Sequence, residues 1–75
     1  MINVKDKAYL IAFGKNLREL RKNKGLTQEE LANMAEVGKN QIGMIERGEI
    51  NPTISTVKVI AGILQIHPKT LFDFE

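Results

Sequence analysis

Residues 25–48, GLTQEELANMAEVGKNQIGMIERG, decide the fold of this chain. They predict two short helices joined by a tight turn. Thr27 and Glu30 have the spacing of a capping box, in which two side chains satisfy backbone amides at the start of a helix. A second helix follows, with small polar residues at its beginning. This layout is typical of a helix-turn-helix, whose second helix enters the major groove of DNA.

The rest of the chain also has helical periodicity, and no segment has the alternation typical of a strand. Thr53 is expected to cap a fourth helix, and His67 before Pro68 to start a fifth. The sequence therefore predicts one all-α domain over residues 1–75, with the helix-turn-helix at about residues 27–47. We expect five helices, at about residues 7–23, 28–35, 39–47, 54–64 and 68–73.

Composition excludes several classes of function. The chain has 75 residues, a formal charge of +2, no cysteine and one histidine, so neither a disulfide framework nor a transition-metal site is expected. No apolar run approaches the roughly 18 residues of a membrane span. His67 and Ser55 lack an orienting acid and an oxyanion site, so we do not expect an enzyme. We expect a cytoplasmic protein with no cofactor and no small-molecule ligand.

The third predicted helix carries candidate base-reading side chains. Ile42 and Ile45 are expected to face the core, which leaves the outer side and its flanks to polar residues and one methionine. Lysine donates to guanine, asparagine and glutamine pair with adenine, and methionine meets the thymine methyl group. The alternative is an ordinary solvated helix face. The candidate base-reading residues are Lys39, Asn40, Gln41 and Met44.

Gln28 is a candidate phosphate contact. It begins the second helix, and the free backbone amides of a helix N-terminus attract anions. The amide side chain and the backbone N–H of Gln28 are therefore expected to hold a DNA phosphate. The alternative is a surface glutamine with no partner.

The stretch from Leu17 to Phe72 resembles the Xre/Cro family of phage-repressor-type helix-turn-helix domains. The matching segments are LRELRKNKGLTQEELA, VGKNQIGMIERGEINP, VKVIAGIL and TLF. The resemblance implies a five-helix, lambda-repressor-like domain that binds operator DNA, usually as a dimer, and regulates transcription. It also places Gln28 on a phosphate-gripping glutamine, and Lys39, Asn40 and Met44 on base-reading positions.

Further residue roles follow from the same resemblance. Arg21 and Glu46 lie on a pair that forms a partly buried salt bridge between the first and third helices in relatives. Such a pair would orient the reading helix, and removing one partner would strand a charge. Positions that contact the DNA backbone in relatives are occupied here by Arg47, Asn51 and Thr53.

The chain departs from the family pattern at three positions around the third helix. Glu36 stands where the turn usually has glycine, and a left-handed backbone there costs about 1–2 kcal/mol. Gly38 replaces the usual serine or threonine N-cap, at a cost of a few tenths of a kcal/mol. Gly43 lies inside the reading helix and costs about 1 kcal/mol against alanine. These departures predict a less rigid third helix.

The fourth helix has more apolar surface than one core face needs, which indicates an interface. We expect a two-fold dimer, which would space two reading helices about 34 Å apart on a near-palindromic site. The alternative is that residues 9–13 of the first helix cover this surface, and we expect one of the two final phenylalanines to close the core. The predicted dimer interface comprises Val59, Ile63, Ile66, Phe72 and Phe74.

These patterns predict a regulator of transcription, more specifically a repressor, that binds double-stranded DNA as a homodimer. The second hypothesis is an antitoxin or a protein-interaction module. In that case the face formed by the fourth and fifth helices binds a partner protein, such as a toxin.

Overall fold

The computed structural model of the chain describes residues 6–75. Four α-helices lie in this range, α1 (Lys7–Asn23), α2 (Gln28–Ala35), α3 (Gln41–Glu46) and α4 (Ile54–Leu64), followed by a 3₁₀ helix, Pro68–Phe72. No strand occurs within residues 6–75. The all-α class is therefore confirmed, and so are the predicted bounds of the helices at residues 7–23, 28–35 and 54–64. Five helical segments were expected, but the last is a 3₁₀ helix and four are α-helices.

Side-chain caps begin three of the α-helices, and those of α2 and α4 are the caps that local sequence predicts. Thr27 Oγ1 accepts from the Glu30 amide at 3.0 Å, and Glu30 Oε1 accepts from the Thr27 amide at 2.8 Å, which completes the capping box of α2. Thr53 Oγ1 accepts from the Thr56 amide at 3.1 Å at the start of α4. Asp6 caps α1 through a 3.0 Å bond from the Tyr9 amide. Each cap satisfies an amide that lacks a partner within its own helix.

Helix α3 is shorter than the predicted span of residues 39–47. Its N-cap is Asn40, not Gly38, and the Asn40 side chain makes no capping bond to the described residues. Lys39 and Asn40 instead form a turn, in which the Gln41 amide donates to the Gly38 carbonyl at 3.0 Å. Without a capping side chain at residue 38, the helix lacks the bond that would start it two residues earlier. At the other end Arg47 is the C-cap, and Gly48 follows with φ +73°.

The final segment is a 3₁₀ helix because its backbone bonds span three residues. The Thr70 amide donates to the His67 carbonyl at 2.9 Å, and His67 Nδ1 accepts from the Lys69 amide at 3.0 Å. Asn16 of α1 fixes this segment by donating to the carbonyls of Thr70 and Leu71, each at 2.9 Å. Leu71 is fully buried in the core, and Phe74 is half-buried and packs against the core, so Phe74 is the final phenylalanine that contributes to it, as one of the two was expected to.

The core forms where all four α-helices and the 3₁₀ helix meet. Leu17 of α1, Leu31 of α2 and Ile42 of α3 have no exposed surface, and Ile45 and Ile60 are 1% exposed. The two isoleucines of α3 therefore face inward as predicted. Their burial leaves the opposite side of α3 for contacts outside the domain.

Two residues adopt left-handed backbone conformations that favour glycine. Glu36, directly after α2, has φ 57° and ψ 40°, as expected for this turn. Gln65, directly after α4, has φ 59° and ψ 43°. Each costs about 1–2 kcal/mol relative to an ordinary backbone, because Cβ crowds the following carbonyl. The Glu36 turn sets the angle at which the chain leaves α2 and enters α3.

Candidate nucleic-acid interface

A buried ion pair joins α1 to the end of α3. Arg21 Nε donates to Glu46 Oε2 at 2.6 Å, and Arg21 Nη2 donates to Glu46 Oε1 at 3.1 Å. The two side chains are 8% and 2% exposed. The hydrogen bond with Glu46 raises the pKa of the Arg21 guanidinium above its ordinary value. This is the pair that the family resemblance implies. Its two parallel hydrogen bonds fix the orientation of the guanidinium against the carboxylate as well as the distance between them.

The same carboxylate also reaches α2. Gln28 Nε2 donates to Glu46 Oε1 at 2.9 Å, and Arg21 Nη1 donates to the Leu26 carbonyl at 2.8 Å. Glu46 therefore accepts hydrogen bonds from both preceding helices. Because a buried carboxylate requires its full set of partners, this network holds α3 against α1 and α2.

Close backbone contact between α1 and α3 adds to this positioning. A Cβ atom at Gly14 would lie within 3.0 Å of the carbonyl oxygens of Ile45 and Glu46, and one at Gly48 would lie within 3.0 Å of Ile11. Neither contact was predicted from the sequence. The available signal was the spacing of Leu10, Gly14 and Leu17, which places a glycine on the buried face of α1.

The four candidate base-reading residues lie along one end of α3. Lys39 and Asn40 are exposed in the turn before the helix, and Gln41 and Met44 are half-buried on it. The Asn40 amide is not used for capping among the described residues. Lysine and amide groups are thus presented together at the start of a helix whose far end is held by Glu46, a suitable arrangement for reading base edges.

The candidate phosphate contacts differ in how their side chains are held. Gln28 is exposed, yet its amide is bound to Glu46. The Arg47 guanidinium donates to Glu49 from Nε at 2.8 Å and from Nη2 at 3.2 Å, in an ion pair whose side chains are 57% and 45% exposed. The hydrogen bond from Arg47 holds the pKa of the Glu49 carboxyl below its ordinary value of 4.5. Asn51 is exposed, and the Thr53 hydroxyl caps α4.

The five predicted interface residues differ in how they are packed within a single copy of the chain. Ring pairs place Phe72 against Phe13, with centroids 5.0 Å apart, and Phe74 against Tyr9, with centroids 5.1 Å apart. The start of α1 therefore contacts both phenylalanines, which agrees in part with the alternative interpretation, while Phe72 stays 44% exposed. Val59 remains 45% exposed, and Ile63 and Ile66 are half-buried against the core.

An apolar groove lies beside this region, between the start of α1, the start of α4 and the 3₁₀ helix. Its volume is about 440 Å³. Ile54 at its edge is 89% exposed, and Phe72 is 44% exposed. The 3.6-residue period of α4 places Ile54 and Ile63 on opposite flanks of the buried stripe, so the groove and the Val59–Ile63 surface face different directions.

Among residues 6–75, no helix is long and apolar enough to cross a membrane. Within the same range no three histidine or carboxylate side chains come together as metal ligands would.

Similar proteins share this arrangement of helices. The profile of a family described as Helix-turn-helix, HTH_3, matches residues 17–71. The immunity repressor protein of Bacillus phage phi105 is 38% identical over 62 residues, which cover 83% of this chain and 43% of the repressor. The transcriptional regulator SinR of Bacillus subtilis is 34% identical over 61 residues, 80% of this chain and 55% of SinR. This chain thus spans about half the length of these two relatives.

Solved structures agree with the sequence matches. The restriction-modification controller protein C.AhdI from Aeromonas hydrophila superposes with a TM-score of 0.84 at 42% identity, covering 87% of this chain and 98% of that one. SinR in complex with DNA superposes with a TM-score of 0.76 at 34% identity, covering 81% and 98%. SinR has also been solved with SinI protein, where the match covers 60% of that chain. Because the family profile matches most of its length and its fold superposes on these structures, the chain belongs to the HTH_3 helix-turn-helix family.

Proposed function

We propose that this protein is a sequence-specific regulator of transcription, acting as a repressor, that binds double-stranded DNA through α3. The observation that carries the proposal is the Arg21–Glu46 ion pair, which holds α3 by its far end while Lys39 and Asn40 are exposed at the other. Similarity to a phage immunity repressor and to a SinR structure containing DNA supports it.

Base reading is assigned to the start of α3. A side-chain amide pairs with adenine by two hydrogen bonds, so Asn40→Ala should weaken binding to the preferred site by roughly 1–3 kcal/mol and leave random DNA almost unaffected. Equal losses on both DNAs would contradict a base-reading role. The same assignment includes Lys39, Gln41 and Met44.

Phosphate binding is assigned to the residues flanking α3. Gln28 at the start of α2 offers its backbone amide and the second hydrogen of its side-chain amide. Arg47 keeps its Nη1 group outside the two bonds with Glu49. Asn51 and Thr53 complete the set, Thr53 through its backbone because its hydroxyl caps α4. Binding to these groups should fall steeply with salt, since each neutralised phosphate releases counterions.

Dimerisation is assigned to the outer side of α4 and the segment after it. The proposed interface is built on Val59, with Ile63, Ile66, Phe72 and Phe74 contributing where their surfaces remain open. Val59→Glu is a sharper test than a change at Ile63, because Ile63 also packs against the core. Sedimentation at micromolar concentration should give a dimer for the wild type and a monomer for Val59→Glu. A wild type that is already monomeric would end the dimer assignment.

The second candidate function is a protein-interaction module, with a toxin as one kind of partner. The observation favouring it is the apolar groove with Ile54 and Phe72 at its edge. Similarity to SinR solved with SinI protein adds support. Co-purification of a fixed partner that is lost in an Ile54→Glu variant would favour this candidate.

Selection of bound sequences from a random duplex library separates the two candidates. At about 150 mM salt, where exposed charges are screened beyond roughly 8 Å, enrichment requires base contacts as well as phosphates. An enriched inverted repeat is the expected result, since a two-fold dimer reads two related half-sites. Absence of enrichment, with only salt-sensitive background binding, would favour the interaction module.

A further inference from the structure

Gly43, the third residue of α3, is buried, and two side chains border its Cα. A Cβ atom at this position would lie 3.0 Å from Arg47 Nη1 and 3.1 Å from Gln28 Oε1. The missing side chain therefore leaves a notch in α3, and the ends of Gln28 and Arg47 both lie at its edge. From the sequence, Gly43 is expected only to weaken the helix, whereas the structure gives a steric reason for a glycine at this position.

Both side chains are held over the notch by carboxylates. Gln28 Nε2 donates to Glu46 at 2.9 Å, and Glu46 is itself fixed by Arg21. Arg47 Nε donates to Glu49 at 2.8 Å, which directs Nη1 back over α3. The bond to Glu46 fixes the Gln28 amide in the free domain, and the exposed pair with Glu49 orients Arg47, so part of the side-chain freedom is already lost before a ligand binds.

We propose that Gly43 is a positioning residue for DNA binding, whose bare Cα lets Gln28 and Arg47 converge as a preformed contact for one backbone phosphate. The inference rests on the DNA-binding function proposed above and adds to it. Gly43 itself touches no phosphate. It acts by letting an amide of α2 and a guanidinium at the end of α3 share one place on the surface.

Gly43→Ala tests this directly, because it should favour the helix and at the same time move the two side chains that are proposed to bind phosphate. Alanine favours a helix more than glycine does, so the change should keep or raise the thermal unfolding midpoint. Cβ must displace Gln28 and Arg47 by a few tenths of an ångström, and both can yield because the contacted atoms end flexible side chains. Affinity should therefore fall while stability does not.

The binding probe is a 20-base-pair duplex of random sequence at 50 mM salt, on which phosphate contacts dominate. Gly43→Ala should bind about three- to tenfold more weakly than the wild type, with a shallower dependence of log K on log salt. Gly62→Ala is the matched control, since Gly62 is also helical and no heavy atom of residues 6–75 lies within 4 Å of its added Cβ. It should gain stability in the same way and, at a protein concentration at which sedimentation gives it the same mass as the wild type, bind as the wild type does.

A double-mutant cycle shows whether Gly43 acts through its neighbours. In a Gln28→Ala/Arg47→Ala background, Gly43→Ala should change affinity by less than about twofold, because the groups that it displaces are gone. An undiminished loss in that background would mean that Cβ itself meets DNA, and it would overturn the positioning role. Wild-type affinity in Gly43→Ala alone would overturn it as well.

A measurement without DNA keeps this inference separate from the proposed function. In the free wild type, the side-chain amide protons of Gln28 should give nuclear Overhauser contacts to the Gly43 Hα atoms. These contacts should weaken in Gly43→Ala and persist in Gly62→Ala. Failure of the wild type to bind any duplex would refute DNA binding. Absence of the contacts in the wild type would refute the notch whatever the DNA result.

Discussion

Replacing Glu46 by alanine should remove a large part of the stability of this domain. Three hydrogen bonds reach the Glu46 carboxylate, two from Arg21 and one from Gln28. The paired side chains are 8% and 2% exposed, so water cannot take the place of the lost partner. Within the described residues, Arg21 would keep the Leu26 carbonyl as its hydrogen-bond acceptor. Breaking a buried pair in this way costs about 3–5 kcal/mol.

The cost of breaking this pair is large compared with the total free energy of unfolding of the domain. At roughly 0.05–0.15 kcal/mol per residue, a domain of 75 residues has about 4–11 kcal/mol of stability. Removing both charges together should cost much less, because well-packed apolar replacements of a buried ion pair are often neutral. The double variant Arg21→Met/Glu46→Leu is therefore expected to be clearly more stable than Glu46→Ala.

Urea unfolding followed by far-ultraviolet circular dichroism measures these differences, at one fixed protein concentration for every variant. Glu49→Gln is the control, because it breaks an arginine–glutamate pair with the same donor atoms at an exposed site. Its urea midpoint should barely move, since water screens the pair. A loss below about 1 kcal/mol in Glu46→Ala, the range of surface pairs, would refute the argument that burial makes this pair costly to break.

Three further predictions concern the backbone and the exposed pair. Gly14→Ala should lower the free energy of unfolding by about 1–3 kcal/mol, because its Cβ meets backbone carbonyls of α3. Gly62→Ala, with open space around its Cβ in residues 6–75, should raise it by up to about 1 kcal/mol, and urea midpoints measure both changes. Glu36→Gly should raise the free energy of unfolding by about 1 kcal/mol in the same assay, because glycine adopts the left-handed backbone without strain. A lower free energy of unfolding would contradict the claim that Glu36 is strained. An NMR titration should give Glu49 a pKa below 4.5, and this pKa should rise in Arg47→Gln. The small stabilisation from the pair is present above the ordinary pKa of a glutamate and is lost as the pH falls through the lowered pKa.

The helix ends that follow from local sequence could be predicted. The Thr27–Glu30 capping box and the Thr53 cap are each made by residues three apart, so the chain specifies them without knowledge of the fold. Burial of Ile42 and Ile45 follows from helical periodicity in the same way. The family resemblance added the long-range Arg21–Glu46 pair, which local patterns cannot provide.

Other features depend on contacts between helices and escaped prediction. The approach of Gly14 to the end of α3 joins residues that are about thirty positions apart in sequence. The late start of α3 and the 3₁₀ geometry of Pro68–Phe72 depend on turns whose energies differ little from those of a regular helix. The sequence left two interpretations of the apolar surface of α4 open, a dimer interface or cover by residues 9–13, and it did not predict the ring contacts of Tyr9 and Phe13 with the two phenylalanines.

The orientation of α3 is therefore a property of the whole domain. The helix has six residues, an interior glycine and no capping side chain among the described residues, so it has little stability of its own. Its position is set by the burial of Ile42 and Ile45, by the Glu46 network and by the backbone contact at Gly14. It follows that changes in α1, which carries none of the candidate base-reading residues, should alter the proposed DNA recognition by moving α3. The strongest effects should come from the two α1 residues that touch its end, Gly14 and Arg21.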